Sequence, residues 1–351
     1  MSRRCPLFIG MKYKYYLMPL LCMFMMAACS SDETENIITP PDEKPEMYTV
    51  SFDFSGDIDV SQEPLSRGTA TDDVYGFNVY YNADKSESID DIYAYGLFDN
   101  KEDMTIALLS GYKYKFECTL VKNGKKTLYY GQAFNNAYTG VCYPFQTNSS
   151  NSTMIENKFT IGTSTYLIGI KKGDAHLASV TPNTSNANKY ASVNRFYGET
   201  DNYAPIQNGE VTIELKRVVF GAKFVITGVQ EGSLTASCGS FWSKTTTVDD
   251  EGTATIYSYP DVYDCWKNET NLTETVTLTY TSNRGTQWNL SSSTTVTFKR
   301  NVMTTVNINV SPDLSSGTFT LTEEPLSEDV NYIDLEINGD GVIDTPVTPS
   351  E

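Results

Sequence analysis

Histidine, the residue that enzymes most often use as a general acid or base, occurs once in this 351-residue chain. Its single histidine, His176, excludes zinc sites built from several histidines and leaves a Ser-His-Asp or Cys-His mechanism only one candidate base. His176 stands in a polar stretch without an identifiable partner, so we interpret it as a surface residue. We therefore predict a protein that is not an enzyme and uses no cofactor. A hydrolase that uses only carboxylates is the one enzymatic class left open, because the spacing of two carboxylates in space is invisible in sequence.

A short segment near the C-terminus resembles the beginning of a calcium-binding loop. From Glu336 to Asp344 it places side-chain oxygens at alternate positions, followed by a glycine and an apolar residue. The twelfth position is Val347, where such a loop needs a bidentate acid, and Pro346 prevents the helix that would follow. A polar Asn-Gly-Asp-Gly turn is the preferred interpretation, and we predict no metal site.

Aromatic side chains could supply a stacking platform for sugars. The chain has three tryptophans, Trp242, Trp266 and Trp288, and 24 tyrosines. Aromatic residues of β-proteins more often form the core or pair across strands. Trp266 lies in the polar sequence DCWKN, which predicts a loop, and it is the best candidate for an exposed glycan platform.

The first 28 residues have the layout of a secretory signal. They contain four bases and no acid, and an apolar run precedes the sequence Ala-Ala-Cys that ends at Cys29. About 12 apolar residues cannot span a bilayer core that requires roughly 20. Translation begins at Met1 or at Met11, and the sequence leaves both open. The small residues before Cys29 resemble the lipobox of bacterial lipoproteins, whose cysteine is acylated and becomes the mature N-terminus.

Residues 29–46 are typical of an acidic, flexible tether, with prolines, acids and no periodicity. The acids directly after Cys29 resemble the export signal that sends lipoproteins of Bacteroidetes to the outer face of the outer membrane. Without residues 1–28, 22 bases face 44 acids, so the net charge changes from −18 to −22. Such a charge argues against nucleic acid as a partner. We predict a surface-exposed protein anchored to outer-membrane lipid through acylated Cys29.

Nearly everything after Glu46 alternates between apolar and polar residues with period two, which predicts β-strands. The clearest example runs from Tyr112 to Leu120. Further strands are predicted at 48–54, 75–81, 91–98, 104–109, 126–133, 158–171, 210–227, 253–259, 273–281, 293–300, 303–310 and 317–322. The alternation predicts an all-β fold and favours antiparallel sandwiches over a parallel α/β fold.

The chain length predicts two domains. The polar stretch 173–209 is too long for a hairpin connection and is interpreted as a functional loop or a crossing between domains. We place the first β-sandwich at 47–208, the second at 209–325, and a C-terminal tail at 326–351.

Each predicted domain contains two cysteines, Cys118 and Cys142 in the first and Cys238 and Cys265 in the second. Their spacing matches no zinc pattern. An extracytoplasmic address permits disulfides, so each pair is either a disulfide or two buried thiols.

Two motifs, together with the lipobox and its acidic tag, carry a resemblance to a known family. Residues 211–226 have the form V-x-I-x-L-K-R-V-x-x-x-A-K-F-x-I, and residues 298–310 have the sequence FKRNVMTTVNINV. The chain resembles the fimbrillin-like proteins of Bacteroidales, which are pilus subunits and their lipidated anchors. The resemblance covers most of residues 47–322 and implies two transthyretin-like β-sandwich domains.

The resemblance also implies assembly by exchange of strands between subunits. A sandwich that lacks one strand exposes an apolar groove, which a strand of the neighbouring subunit fills. In polymerising members the N-terminal strand is removed by proteolysis after an arginine, and Arg67 stands where such a cleavage would fall. A solvated arginine in an ordinary loop is the alternative. In the tail, Ile333, Leu335 and Ile337 alternate with acids, which suits either a donor strand or the last edge strand of the second domain.

Two functions are compatible with these features. The first is a structural or adhesive component of fimbriae, either a pilus anchor or an accessory subunit, whose partners are other pilus subunits, further copies of itself, or a surface glycan or protein. The alternative is a glycan-binding surface lipoprotein of a polysaccharide uptake system, with Trp266 as its platform.

Overall fold

A computed structural model of the protein describes residues 45–58, 72–131, 138–150, 152–171 and 193–326. The predicted signal sequence, Cys29, Arg67, His176 and the tail from residue 327 lie outside these described residues. The described chain is almost entirely β-structure, which confirms the all-β prediction. No helix within these ranges is long and apolar enough to cross a membrane.

The strands are, in chain order, β1 Met47–Gly56, β2 Val74–Tyr81, β3 Asp91–Phe98, β4 Thr105–Leu109, β5 Tyr114–Val121, β6 Tyr129–Gly131, β7 Tyr138–Val141, β8 Lys158–Ile161, β9 Arg195–Tyr203, β10 Gly209–Arg217, β11 Val219–Thr227, β12 Ser233–Cys238, β13 Trp242–Thr246, β14 Thr255–Ser258, β15 Leu272–Thr281, β16 Gln287–Asn289, β17 Thr294–Phe298, β18 Val302–Val310 and β19 Gly317–Pro325. A 3₁₀ turn occupies Lys101–Asp103, and two short helices occupy α1 Gly124–Thr127 and α2 Val262–Asn268.

The N-terminal strands form one eight-stranded sheet with the order β4-β1-β10-β9-β5-β2-β3-β8. β1 is antiparallel to β4 and parallel to β10, and all other pairs of this sheet are antiparallel. The sheet is curved, so that its edge strand β8 lies close to β1 near the other edge. Phe159 of β8 packs on Phe52 of β1, with ring centroids 5.7 Å apart. The curved sheet encloses an aromatic core that contains the apolar side chains of β1.

The C-terminal strands form two further sheets. One has the order β14-β11-β18-β19; in the other, β12 lies between β13 and β15, while β16 and β17 both pair with β15. β11 and β18 are parallel, with Phe224 opposite Val306. Phe224 and Val306 belong to the same buried cluster as Leu278 of β15 and Val296 of β17, so the two sheets enclose a common core. β6 and β7 form a separate two-stranded ribbon.

Most predicted strands are present, but some predictions of extended structure are wrong. Residues 158–171 form a strand only at β8, because the backbone of Leu167 is bonded to the Asn78 side chain on the outer face of the first sheet. The whole of β9, Arg195–Tyr203, lies inside the stretch 173–209, which was predicted to be a loop or a crossing between domains. β12 and β13 were not predicted, because serine and threonine occupy half or more of their positions and leave little hydrophobic contrast.

The predicted antiparallel pairing holds for the other strand pairs of the described residues, but the pairs β1–β10 and β11–β18 are parallel. Alternation of apolar residues reports which face a side chain occupies, but it does not report the direction of the neighbouring strand. β10, predicted to open the second domain, pairs with β1 and β9 in the first sheet. The division into two transthyretin-like domains stays a prediction.

The four cysteines of the described residues, Cys118, Cys142, Cys238 and Cys265, are free and buried. Of the two alternatives for each pair, the structure therefore has the buried thiols. Burial raises the pKa of Cys238 to about 12 and that of Cys265 to about 12. Both are protonated at neutral pH, which makes them poor nucleophiles.

Candidate functional site

The candidate site is the groove in the first sheet that holds β1. β4 pairs with residues 47–51 of this strand and β10 pairs with residues 50–56. β1 is thus an interior strand of the sheet, yet it comes from the beginning of the described chain. Its covalent link to β2 is the segment 59–71, which contains Arg67 and lies outside the described residues.

The inward face of β1 consists of Val50, Phe52 and Phe54, which are 0%, 8% and 4% exposed. The alternating sequence VSFDF produces this face, because successive side chains of a strand point to opposite sides. Burying each such side chain contributes roughly 1.5–3 kcal/mol relative to leaving it in water. The three residues therefore anchor the strand, and its departure would expose a large apolar groove.

The phenylalanines of β1 contact aromatic rings of the surrounding strands. The ring centroid of Phe52 lies 4.8 Å from that of Phe77 and 5.2 Å from that of Phe116. Phe54 stacks on Tyr75 at 5.2 Å. Aromatic pairs at these separations contribute about 0.5–1.5 kcal/mol beyond the area they bury. The groove is therefore shaped for bulky side chains at alternate positions.

β1 ends in a backbone conformation that requires glycine. Gly56 has a φ of +100°, and a Cβ at this position would lie 2.5 Å from the carbonyl oxygen of Leu215 on β10. The next residue, Asp57, donates its backbone N–H to the same carbonyl at 2.9 Å. The chain therefore passes very close to β10 as it leaves the groove.

The carboxylate of Asp57 fixes this end of the strand. It accepts hydrogen bonds from the backbone N–H of Arg217, at 3.0 Å, and from the guanidinium of Arg300. Arg300 lies in the turn between β17 and β18, so Asp57 connects the end of β1 to the C-terminal half of the protein. Arg217 and Arg300 are the arginines of the two sequence motifs, L-K-R-V and F-K-R-N. Both motifs are visible in the sequence, but their common partner, Asp57, became apparent only in the structure.

A second cluster of charges lies on the outer face of the same sheet. The Nζ atom of Lys171 is 2.8 Å from Glu117 and 3.1 Å from Glu199. Burial lowers the pKa of Lys171, but the two carboxylates outweigh burial and the pKa lies above its usual value. Tyr80 donates to Glu117, and Tyr197 donates to Glu199. These charges are paired with one another, which fixes Lys171 and the chain before it on the sheet.

Trp266 is not in an exposed loop, and that prediction is wrong. It lies on α2, a helix capped by Asp261, and its indole packs edge-on against Tyr197 at 5.5 Å. Its Nε1 atom is buried. The helix α2 has only seven residues, which is too short for helical periodicity to be recognised in the sequence. Its role as a glycan platform stays a prediction.

Trp288 is the tryptophan with the exposed ring. It is 39% exposed on the short strand β16, packs on Tyr280 at 4.6 Å, and donates Nε1–H to the carbonyl of Leu314. Trp242 stacks on Phe224 at 3.8 Å and belongs to the periphery of the core. Among the described residues, no group of His, Cys, Asp or Glu side chains could hold a metal ion.

The other predicted site residues lie outside the described ranges. These are Cys29, Arg67, Ile333, Leu335 and Ile337. Lipidation, cleavage and strand donation at these positions stay predictions.

Comparison with known proteins finds similarity only among solved structures. No protein-family model matches the chain, and no curated protein matches its sequence. The fimbrial anchor protein Mfa2 from Porphyromonas gingivalis is 10% identical, with 80% of this chain and 98% of that chain covered and a TM-score of 0.37. The tip fimbrial protein Mfa3 from the same organism is 7% identical, with coverages of 80% and 100% and a TM-score of 0.28.

A candidate cell adhesion protein from Bacteroides eggerthii is 10% identical, with coverages of 80% and 96% and a TM-score of 0.34. A structure described as a candidate polysaccharide-binding protein from Bacteroides thetaiotaomicron is also 10% identical, with coverages of 81% and 99% and a TM-score of 0.34. All four TM-scores are below 0.5, so these similarities assign neither a family nor a function to this chain.

Proposed function

We propose that this protein is a cell-surface lipoprotein that serves as a structural or adhesive component of fimbriae, as a pilus anchor or accessory subunit. It assembles with other pilus subunits or with further copies of itself by exchange of β-strands. Acylated Cys29 attaches it to lipid of the outer membrane. The proposal rests on the groove of β1 and on the lipobox sequence.

One observation carries the proposal. An interior strand of the first sheet is supplied by the start of the described chain and is held by three buried side chains, a parallel ladder to β10 and the bonds of Asp57. A strand at this position can leave as a unit once the chain is cut between β1 and β2. Arg67 lies in that interval, and its cleavage would leave β1 bound by non-covalent contacts alone.

The departure of β1 creates a binding site for another strand. Backbone groups of β4 and β10 lose their hydrogen-bond partners, and the apolar walls of the groove are exposed to water. An incoming extended segment with alternating apolar residues restores both kinds of contact, which is the physical basis of strand addition. An uncut chain keeps β1 and suits an anchor, whereas a cut chain suits a subunit that polymerises.

The mass of the mature N-terminus tests the proposal. We expect either a diacylated Cys29 on a full-length chain, which supports the anchor, or a chain that begins at Gly68, which supports a shaft or tip subunit. The Cys29→Ser variant should leave the membrane fraction, and Arg67→Ala should abolish any product that begins at Gly68. A mature protein with neither lipid at Cys29 nor a cut after Arg67 contradicts the proposal.

Glycan binding is the second candidate function, and the exposed ring of Trp288 favours it. Trp288 is 39% exposed, and a partly exposed aromatic ring is the kind of surface on which a sugar ring stacks. A glycan array should show binding that is lost in Trp288→Ala and kept in Trp266→Ala. The opposite result would restore Trp266 as the platform, and no binding by the unmodified protein rejects this candidate.

A further inference from the structure

The sheet built from β12, β13, β15, β16 and β17 has one face that points away from the core. Leu234 of β12 and Leu278 of β15 are buried in the core, and residues paired across neighbouring strands point to the same side of a sheet. In all five strands the even-numbered positions point inward, so the odd-numbered positions form the outward face. They hold nine threonines, three serines, Gln287 and Asn289, and we call them the hydroxyl face.

The hydroxyl face carries no charged side chain, although the chain has 26 basic and 44 acidic residues. The two charged residues of these five strands, Lys244 and Glu274, both occupy even-numbered positions. The charge patterns of two binding partners are complementary. A neutral face on a strongly acidic protein therefore fits an uncharged partner.

The hydroxyl groups of this face form a regular array. Along β15, the sequence TETVTLTYT places a threonine at every second residue, about 6.7 Å apart, and neighbouring strands lie about 4.8 Å apart. Thr235 of β12 lies between Thr245 of β13 and Thr279 of β15, and Thr295 of β17 lies opposite Thr275. The face thus offers hydroxyl and methyl groups at repeated intervals, which suits a partner that also repeats.

Hydrogen bonds between strands hold some of these hydroxyl groups in place. The side-chain oxygens of Thr235 and Thr245 are 2.8 Å apart, and those of Thr273 and Thr297 are 3.1 Å apart. A hydroxyl group has one donor and two acceptor sites, so each such pair retains capacity for a further partner. Because the paired side chains are already ordered, binding to them costs less conformational entropy.

We infer that the hydroxyl face binds an uncharged polysaccharide. Such a polymer presents hydroxyl groups at regular intervals, each a donor and an acceptor, between C–H groups that can pack on threonine methyls. The inference rests on the second candidate function, glycan binding, and gives it a ligand class and another surface. The ring of Trp288 belongs to the other side of the sheet, because Trp288 pairs with the buried Tyr280.

The size of the face favours a polysaccharide over a second copy of this chain. β15 is about 27 Å long from Thr273 to Thr281 and four strands side by side are about 19 Å wide, which gives an area of about 500 Å². A stable protein interface buries about 800 Å² on each partner and is centred on large aromatic or arginine side chains. The hydroxyl face is smaller and offers only methyl groups as apolar contacts. A single polymer strand lying along β15 does not need the larger area.

Retention on immobilised polysaccharides tests the ligand class. The uncharged probes are dextran, mannan, laminarin and xylan, and dextran sulfate is the charged counterpart of dextran. We expect at least one uncharged probe to bind, with an affinity that changes no more than about twofold between low and high salt, because no charges are paired. Binding to dextran sulfate alone, or binding that high salt abolishes, overturns the inference.

Removal of hydroxyl groups from the middle of the face tests the surface. The double variant Thr275→Val, Thr277→Val keeps the shape and the β-branch of both side chains, and it should weaken binding at least about fivefold through lost hydrogen bonds. The matched control is Thr320→Val, Thr322→Val, which removes two exposed threonines at the same spacing on β19 of the other sheet. The control should change the affinity no more than about twofold. Equal weakening in both variants contradicts the inference.

A second substitution keeps the test valid if the valine variant unfolds or aggregates. Thr277→Arg places a long side chain in the middle of the face and should abolish binding, whereas Thr322→Arg should not; urea unfolding checks that both are folded. Binding lost in Trp288→Ala but kept in Thr277→Arg overturns the inference and leaves glycan binding at the ring. Binding of no probe overturns the inference and rejects glycan binding as well. The proposed pilus role is independent of these results, since the mature N-terminus tests it.

Discussion

Phe52 should control how firmly β1 is retained after the chain is cut behind Arg67. The side chain is 8% exposed and touches the rings of Phe77, Phe116 and Phe159, with centroids 4.8, 5.2 and 5.7 Å away. Truncation of a buried phenylalanine to alanine costs about 3–5 kcal/mol, from lost burial and the cavity left behind. At about 1.4 kcal/mol per factor of ten, Phe52→Ala should weaken binding of the N-terminal fragment roughly a hundredfold to a few thousandfold.

Release of that fragment is measured by dilution of the cut protein followed by gel filtration and mass analysis of the fractions. The matched control is Asp53→Ala on the exposed face of the same strand, which should change the binding free energy by no more than about 0.5 kcal/mol. In the uncut protein, Phe52→Ala should lower the unfolding free energy by a similar 3–5 kcal/mol or so in urea. Fragment release that is equal in Phe52→Ala, Asp53→Ala and unmodified protein would refute the claim that the apolar face holds the strand.

Three further predictions concern other parts of the structure. Gly56→Ala should lower the unfolding free energy by at least about 1 kcal/mol more than Gly111→Ala, because both glycines have positive φ but only Gly56 faces a carbonyl within 2.5 Å; equal effects in urea would show that the close contact is unimportant. The raised pKa of Lys171 stabilises the fold below its usual pKa of 10.5, and this contribution is lost as the pH rises through the higher folded value. The difference in unfolding free energy between the unmodified protein and Lys171→Met should thus be constant near pH 7 and shrink above about pH 10.5; a constant difference up to pH 12 would contradict the assignment. The thiols of Cys118, Cys142, Cys238 and Cys265 should react with a thiol reagent only after unfolding; a mass two or four units lower before reduction would instead indicate disulfides.

Local alternation was sufficient to predict most strands. Tyr114, Phe116, Cys118 and Leu120 face the core of the first sheet as the sequence indicates, and β1 was predicted within two residues at each end. β12 was missed because Leu234, Ala236 and Cys238 alternate with serine and threonine and provide little hydrophobic contrast. At such strands, packing against the neighbouring strands favours an extended backbone that the local sequence does not specify.

The arrangement of the site could not be predicted from local patterns. β1 and β10 are distant in sequence, and nothing in either strand reports that they are parallel neighbours. Asp57 meets Arg217 and Arg300 across 160 and 243 residues of sequence. The sequence shows Arg217 and Arg300 as motif positions and Arg67 as a cleavage candidate. The groove is apparent only in the structure, where Arg217 and Arg300 meet Asp57 at the end of β1. The error at Trp266 is of a different kind. Its polar neighbours in sequence predicted an exposed loop, but its ring packs on Tyr197.

The central claim is that the groove of β1 accepts a strand from another chain. Native mass spectrometry of the protein cut after Arg67, with and without an added uncut copy, tests it most directly. We predict a complex in which the cut chain has lost the fragment that ends at Arg67 and has gained one uncut chain. A cut chain that keeps its fragment in the presence of excess uncut protein, or that loses the fragment and binds no second chain, would contradict the account.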